Sequence, residues 1–186
     1  MTVTTAKWTL AEYHQIVEAG FLRDRQVELL NGDMIEMPPE EPEHAQLSTD
    51  AADDLRQLLG SQALVRDAKP ITLPHSGSEP QPDLAIVEPV REVYRSRHPY
   101  PSDVFWLIEY SNTSLAKDLD TKRKTYAQAG IREYWVVDLK TRLVKVFRDP
   151  IEGDYRSELT FQTGEISPLA FPDMQVSVQK LLGRWS

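Results

Sequence analysis

"VFWLIEYS", residues 104–111, is an apolar run with one acid set inside it. Val104 to Ile108 has the unbroken hydrophobicity of a central strand covered on both faces. Glu109 follows at once, and ionisable side chains are seldom buried unless paired or bound to a metal. The next stretch, "NTSLAKDLDTKRKTYAQAG" at 112–130, reads as a helix over 114–128, with Thr113 or Ser114 as its cap and Gly130 as its stop. Four-residue spacing puts Asp118, Lys122 and Tyr126 on one face of that helix. A structural ion pair and a working site are both compatible with an acid so placed. For the helix alone, an ordinary Asp–Lys surface pair beside a half-buried tyrosine is the plainer alternative.

Outward from this stretch, "EYWVVD" at 133–138 is a second buried strand, and "LVKVFRD" pairs with it by alternation after a turn over 139–142. Upstream, "DLAIVEP" is a short strand bounded by prolines, and "ALVRDAKPITLP" a strand with an irregularity at Pro70. Asn31-Gly32 between "VELL" and "DMIEM" is the strongest short hairpin signal. A short helix spans 9–20, capped by Thr9. A longer amphipathic one carries Ala45, Leu47, Ala51, Leu55 and Leu59 on one side and ends at Gly60. Residues 90–103 form a loop or poor helix, and the tail offers one or two strands and a closing helix. The pattern is α/β (α+β), a mixed central sheet flanked by helices with an N-terminal hairpin. A single domain over 1–186 is expected, with its core at roughly 9–183.

The chain has 186 residues, 40% hydrophobic and 27% charged, as suits a globular protein. It contains no cysteine, which removes disulfides, thiol catalysis and thiolate metal sites. The first twenty residues have no long apolar core after a basic start, so no signal peptide is expected, nor any membrane span. A cytoplasmic location is the expectation. A net charge of −8 argues against a generic nucleic-acid coat. It leaves room for an enzyme with a local basic groove.

Four positions stand out for chemistry. Asp83 lies at the mouth of a strand, Glu109 inside one, Glu28 in the hairpin, and Lys122 on the helix. Carboxylates on adjacent strands can hold Mg²⁺, a hard cation that prefers oxygen ligands, with Mn²⁺ as its substitute. Such an ion activates water and neutralises phosphoryl oxygen, and a nearby lysine steadies developing negative charge. His44, at the start of the long helix, could contact a phosphate or the ion, although a local hydrogen bond is the plainer role. Arg91, Arg95, Arg97, Arg123 and Lys124 could line a DNA groove, as could the ladder Lys140, Arg142, Lys145 and Arg148. Each is more often a solvated face. Trp106 and Trp135 are most simply core.

"PDLAIV", then "IEYSNTS", then "KDLDTKRKTYAQAGIREYWVVD" resembles the PD-(D/E)xK nuclease superfamily. More narrowly, the chain is similar to a family of short restriction-endonuclease-like proteins that occur in many copies in some bacterial genomes. The hairpin, the "PEHAQL" helix start and the tail "EISPLAFPDMQVSVQKLL" fit that layout, over roughly residues 9–183. The resemblance implies a Mg²⁺-dependent endonuclease acting on DNA. Asp83 and Glu109 would be metal ligands, Glu28 an accessory acid, and Lys122 the catalytic lysine. The superfamily pattern puts lysine two positions after the glutamate, but Ser111 stands there, so the lysine is expected to have moved to the helix. Ser111, Asp118, Tyr126 and His44 would orient it or the ion. A homodimer would supply two sites for two strands. The alternatives are a catalytically silent nuclease fold that binds nucleic acid or a partner, and an ion-paired core without a ligand.

Overall fold

The computed structural model describes residues 5–112 and 118–184. The chain opens with α1 (Leu10–Glu18), where Thr9 and Glu12 form a reciprocal capping box. The hairpin β1 (Val27–Leu30) and β2 (Asp33–Glu36) pairs Leu30 with Asp33. Its turn needs two residues with positive φ, supplied by Asn31 at 51° and Gly32 at 79°. Next come α2 (Pro42–Leu59), β3 (Leu64–Asp67) and β4 (Leu84–Val87). β3 ends at Asp67 because Ala68 turns to φ 47°, so the expected strand through Pro70 is shorter than the sequence suggested.

The central strand β5 (Val104–Ser111) leads to one π-helical turn (Asp118–Lys122), then α3 (Arg123–Gln128) and β6 (Glu133–Asp138). The long hairpin β7 (Leu143–Ile151) and β8 (Asp154–Phe161) follows, then the small pair β9 (Glu165–Ile166) and β10 (Val176–Ser177), and α4 (Val178–Leu181). The main sheet has six strands in the order β3-β4-β5-β6-β7-β8, antiparallel except for the parallel pair β5–β6. A parallel pair needs a crossover, and here the π turn and α3 supply it.

Both faces of this sheet are covered. On one, Ile86, Trp106, Ile108 and Trp135 pack against Leu47, Leu55 and Leu59 of α2 and Leu181 of α4. On the other, Leu107, Tyr134 and Val136 meet Tyr126, Ala127 and Ile131. Trp106 and Trp135 are fully buried, with ring centroids 5.8 Å apart, as their place in apolar strands predicts. Among the described residues, no helix is long and apolar enough to cross a membrane.

The expected helix over 114–128 is a different object. Its cap residues Thr113 and Ser114 lie outside the described residues. The part from Asp118 starts as a π turn and becomes α-helical only at Arg123. The Asp118 carbonyl accepts from the Tyr134 hydroxyl at 3.2 Å, and its side chain is held by Ser111.

Candidate active site

The strand register builds the site. Leu84 pairs with Ile108, so Asp83, one step before β4, lies beside the end of β5. There the Tyr110 backbone N–H donates to Asp83 Oδ2 at 2.6 Å. Strand alternation turns Tyr110 toward α2 and Glu109 toward the opposite layer. Glu109 meets the crossover: Lys122 Nζ donates to its Oε1 at 2.8 Å and the Tyr126 hydroxyl at 2.9 Å. Lys122 Nζ also lies 3.4 Å from Glu28 Oε2, which accepts the Gln81 backbone N–H at 3.3 Å. The Ser111 hydroxyl donates to Asp118 Oδ2 at 2.6 Å. The Lys122 side chain therefore reaches back to the end of β5.

Lys122 is only 1% exposed and Glu109 3%, so this is a buried charge cluster with more acids than cations. Burial raises the Glu109 carboxyl against the pull of Lys122, and the Asp83 and Asp118 charges push the same way. Burial alone would lower the Lys122 ammonium, yet Glu109, Glu28, Asp118 and Asp83 together raise it above its ordinary value. The acids around it hold the lysine protonated, while burial holds Glu109 toward its neutral form.

Asp83, Glu109, Asp118, Lys122 and His44 line one cleft of about 100 Å³. His44 Nε2 sits 3.0 Å from Asp83 Oδ2, and its Nδ1 is 3.9 Å from Glu40 Oε2. Burial pulls His44 down, but the hydrogen bond and charge of Asp83, with Glu40, carry it up to about 9. At neutral pH His44 thus offers N–H groups rather than a free lone pair. Glu40, His44 and Asp83 each have a ligating atom within 4.8 Å of the others.

The donors facing the cleft are mainly carboxylate oxygens, a set that suits a hard divalent cation. Asp83 and Glu109 both line the cleft, and the group whose ligating atoms converge is Asp83 with Glu40 and His44. Glu28, expected beside them as a ligand, is fully buried behind the cleft and turned to Lys122 and Gln81. Ser111 and Tyr126 also lie behind it, on Asp118 and Glu109. Glu40 was not singled out from the sequence, although its spacing of four from His44 across "EEPEH" was the available signal. Nothing in the sequence pointed to the Tyr110 backbone N–H.

The five basic residues expected to line a DNA groove are not gathered at this cleft. Arg95 pairs with Glu92, Arg123 with Asp154 and Lys124 with Asp120, while Arg91 is exposed. Arg97 is bonded to Asp103 and lies 4.2 Å from the Tyr100 ring centroid. In the ladder on β7, Arg142 meets Glu43, Lys145 meets Glu158 and Arg148 meets Glu133.

A sequence model of a family described as "Uma2: Putative restriction endonuclease" matches residues 10–179. The chain belongs to the Uma2 family. The match takes in the hairpin, all six strands of the main sheet and the crossover that carries Lys122. The Uma2 fold also aligns with a crystal structure described as "a putative nuclease belonging to DUF820 from Anabaena variabilis ATCC 29413". That alignment has a TM-score of 0.72 at 14% identity and covers 95% of this chain and 98% of the other. The shared feature at that identity is the nuclease fold itself. No curated protein matches this Uma2 chain. Membership agrees with the superfamily resemblance carried by "PDLAIV" and "IEYSNTS".

Proposed function

We propose that this Uma2 chain is a metal-dependent endonuclease that hydrolyses phosphodiester bonds in DNA, with Mg²⁺ as the physiological ion. The observation that carries this is the convergence of Asp83, Glu109 and Lys122 on one cleft, from a strand mouth, a strand and a crossover helix. Asp83 and Glu109 would hold the ion, which when bound supplies charge neutralisation and water activation. Lys122, kept protonated by its carboxylate neighbours, offers a fixed positive charge to the phosphoryl oxygens as negative charge develops. Glu28 and Tyr126 hold Lys122 and Glu109 in place. Ser111 holds Asp118, and His44 fixes the Asp83 carboxylate.

An ion pair serving only the core would also satisfy Glu109, but it gives no reason for the pair to line a cleft with Asp83 and His44. Two chains acting together would cut both strands. Location in the cytoplasm belongs to the same reading.

The test is nicking of supercoiled plasmid at low salt with Mg²⁺ or Mn²⁺, comparing wild type with Asp83→Asn and Lys122→Ala. Metal-dependent nicking lost in both variants is the expected result. Undiminished nicking by Asp83→Asn would refute the assignment. Metal-independent DNA binding without nicking by the wild type would favour the silent, DNA-binding alternative.

A further inference from the structure

The six-stranded sheet has two edges, and they differ. β3 is four residues long, stops where Ala68 turns to φ 47°, and is shielded by Arg56 of α2, bonded to Asp67 at 3.2 Å. β8 is eight residues long, "DYRSELTF", and contains neither proline nor lysine, two residues that natural edges use against pairing. Its backbone bonds with β7, and among the described residues no other segment bonds to it. Leu159 on this edge is 42% exposed. The edge is also complementary to itself: where two β8 strands run antiparallel about Ser157, Arg156 of each falls opposite Glu158 of the other. We propose that β8 is a dimer interface, where a second copy of this chain adds its own β8 about a two-fold axis at Ser157 to make one continuous sheet.

Alternation puts Arg156 and Glu158 on one face of β8, and residues directly opposite in an antiparallel pair share a face. The dimer therefore gains two Arg–Glu pairs related by the axis. Arg156 is exposed and has no ion pair within its own chain among the described residues. Glu158 already meets Lys145 of β7 at 2.6 Å, so the incoming arginine extends that pair into a row across the interface. Moving the axis one residue either way would set Arg156 against Arg156 or Glu158 against Glu158, so the charges select the register. A single strand pair buries less than the roughly 1,200 Å² of stable complexes, which makes the association concentration-dependent. The geometry also bears on the cleft. The two copies of β5 stand seven strand spacings apart, three in each copy and one across the axis, or about 34 Å. That is about one turn of duplex DNA. Sheet twist of roughly 20–25° per strand accumulates over those steps to about 140–175°, which turns the antiparallel copies of β5 back to nearly parallel. Both clefts, at the C-terminal ends of β5, would then open on one side of the dimer. Only this last consequence rests on the nuclease reading.

The chain has no cysteine, so a cysteine placed on the axis reports the contact directly. Ser157→Cys would face its own copy with Cα atoms about 4.5–5.5 Å apart, inside the roughly 4.4–6.8 Å that a disulfide spans. Under mild oxidation it should become a covalent dimer, while Thr160→Cys, which falls opposite Asp154, should not. Sedimentation of the wild-type full chain, with neither DNA nor metal, should show a monomer–dimer equilibrium. Arg156→Glu should weaken the association about tenfold by setting like charges opposite each other. Arg156→Glu combined with Glu158→Arg should restore it, because the exchanged charges complement each other again. A wild type that remains monomeric up to about 1 mM overturns the proposal. So does a dimer untouched by Arg156→Glu, or Thr160→Cys cross-linking as fast as Ser157→Cys. None of these readouts involves nicking, so failure of the nuclease reading leaves them unchanged.

Discussion

Lys122 Nζ lies 2.8 Å from Glu109 Oε1, and the two residues belong to different layers of the fold, one on a crossover turn and one on the central strand. The contact joins the one acid in the apolar run of β5 to a lysine on the crossover. Both partners are buried, so the pair is costly to break from either side.

Lys122→Met should therefore lower stability by about 3–5 kcal/mol, because it leaves Glu109 and Glu28 buried without their cation. Urea unfolding measures this. A double variant, Lys122→Met with Glu109→Gln, should recover part of the loss. If the single variant is as stable as wild type, the cluster is not the compensated charge system described.

Tyr126→Phe removes one donor from Glu109 while keeping the ring packed on Tyr134. The expected cost is about 1–3 kcal/mol, the loss of a hydrogen bond to a buried charged group. Nicking should fall as well, since Glu109 loses part of its orientation. A variant matching wild type in both stability and nicking would remove Tyr126 from the site.

Acid sensitivity should trace partly to Asp103. Burial alone would raise its carboxyl, but Arg97 and the Tyr100 backbone N–H hold it below the ordinary value of 3.8. A depressed folded-state pKa contributes stability that is full above the unfolded value and disappears as pH falls through the folded one. Asp103→Asn should thus be less stable than wild type at neutral pH, and the gap should close in acid. Denaturant curves taken across this range check it, and a constant gap would contradict the linkage.

Mn²⁺ binding at the cleft should strengthen as pH rises toward about 9, where His44 gives up the proton that Asp83 and Glu40 hold on it. In His44→Gln that part of the pH dependence should vanish. Calorimetric titration at several pH values decides the matter. Equal slopes in the two proteins would show that His44 does not compete with the ion.

Much of the fold was legible because its signals are local. The apolar run of β5, the Asn31-Gly32 turn and the Thr9 cap each need only a few neighbouring residues. The pairing of Glu109 was legible for a different reason: an acid in an apolar strand demands a partner, and Lys122 on the following helix was the available one. The π turn was not legible, since Tyr134, sixteen residues beyond Asp118, takes the Asp118 carbonyl. Nor was the inward turn of Glu28, because its whole strand is buried and alternation gives no warning of that. The pairing of Arg97 with Asp103 and of Arg123 with Asp154 depends on side-chain neighbours that composition does not reveal.

The hairpin that supplies Glu28 is a two-stranded sheet of its own, outside the main one. It is fastened through the backbone bonds between Leu29 and Glu79 and by Asn31 Nδ2 donating to Thr125 Oγ1 at 3.0 Å. The Asn31 N–H donates to Ser78 Oγ at 2.8 Å, the Tyr13 hydroxyl to the Val27 carbonyl at 2.8 Å, and Glu28 is paired with Lys122, so opening the hairpin breaks a buried ion pair as well as hydrogen bonds. Each opening would withdraw one of the two carboxylates that flank Lys122 and let water in beside its ammonium. The exchange rate of the Leu29 and Glu79 amides with deuterium would then count how often the lysine loses its enclosure.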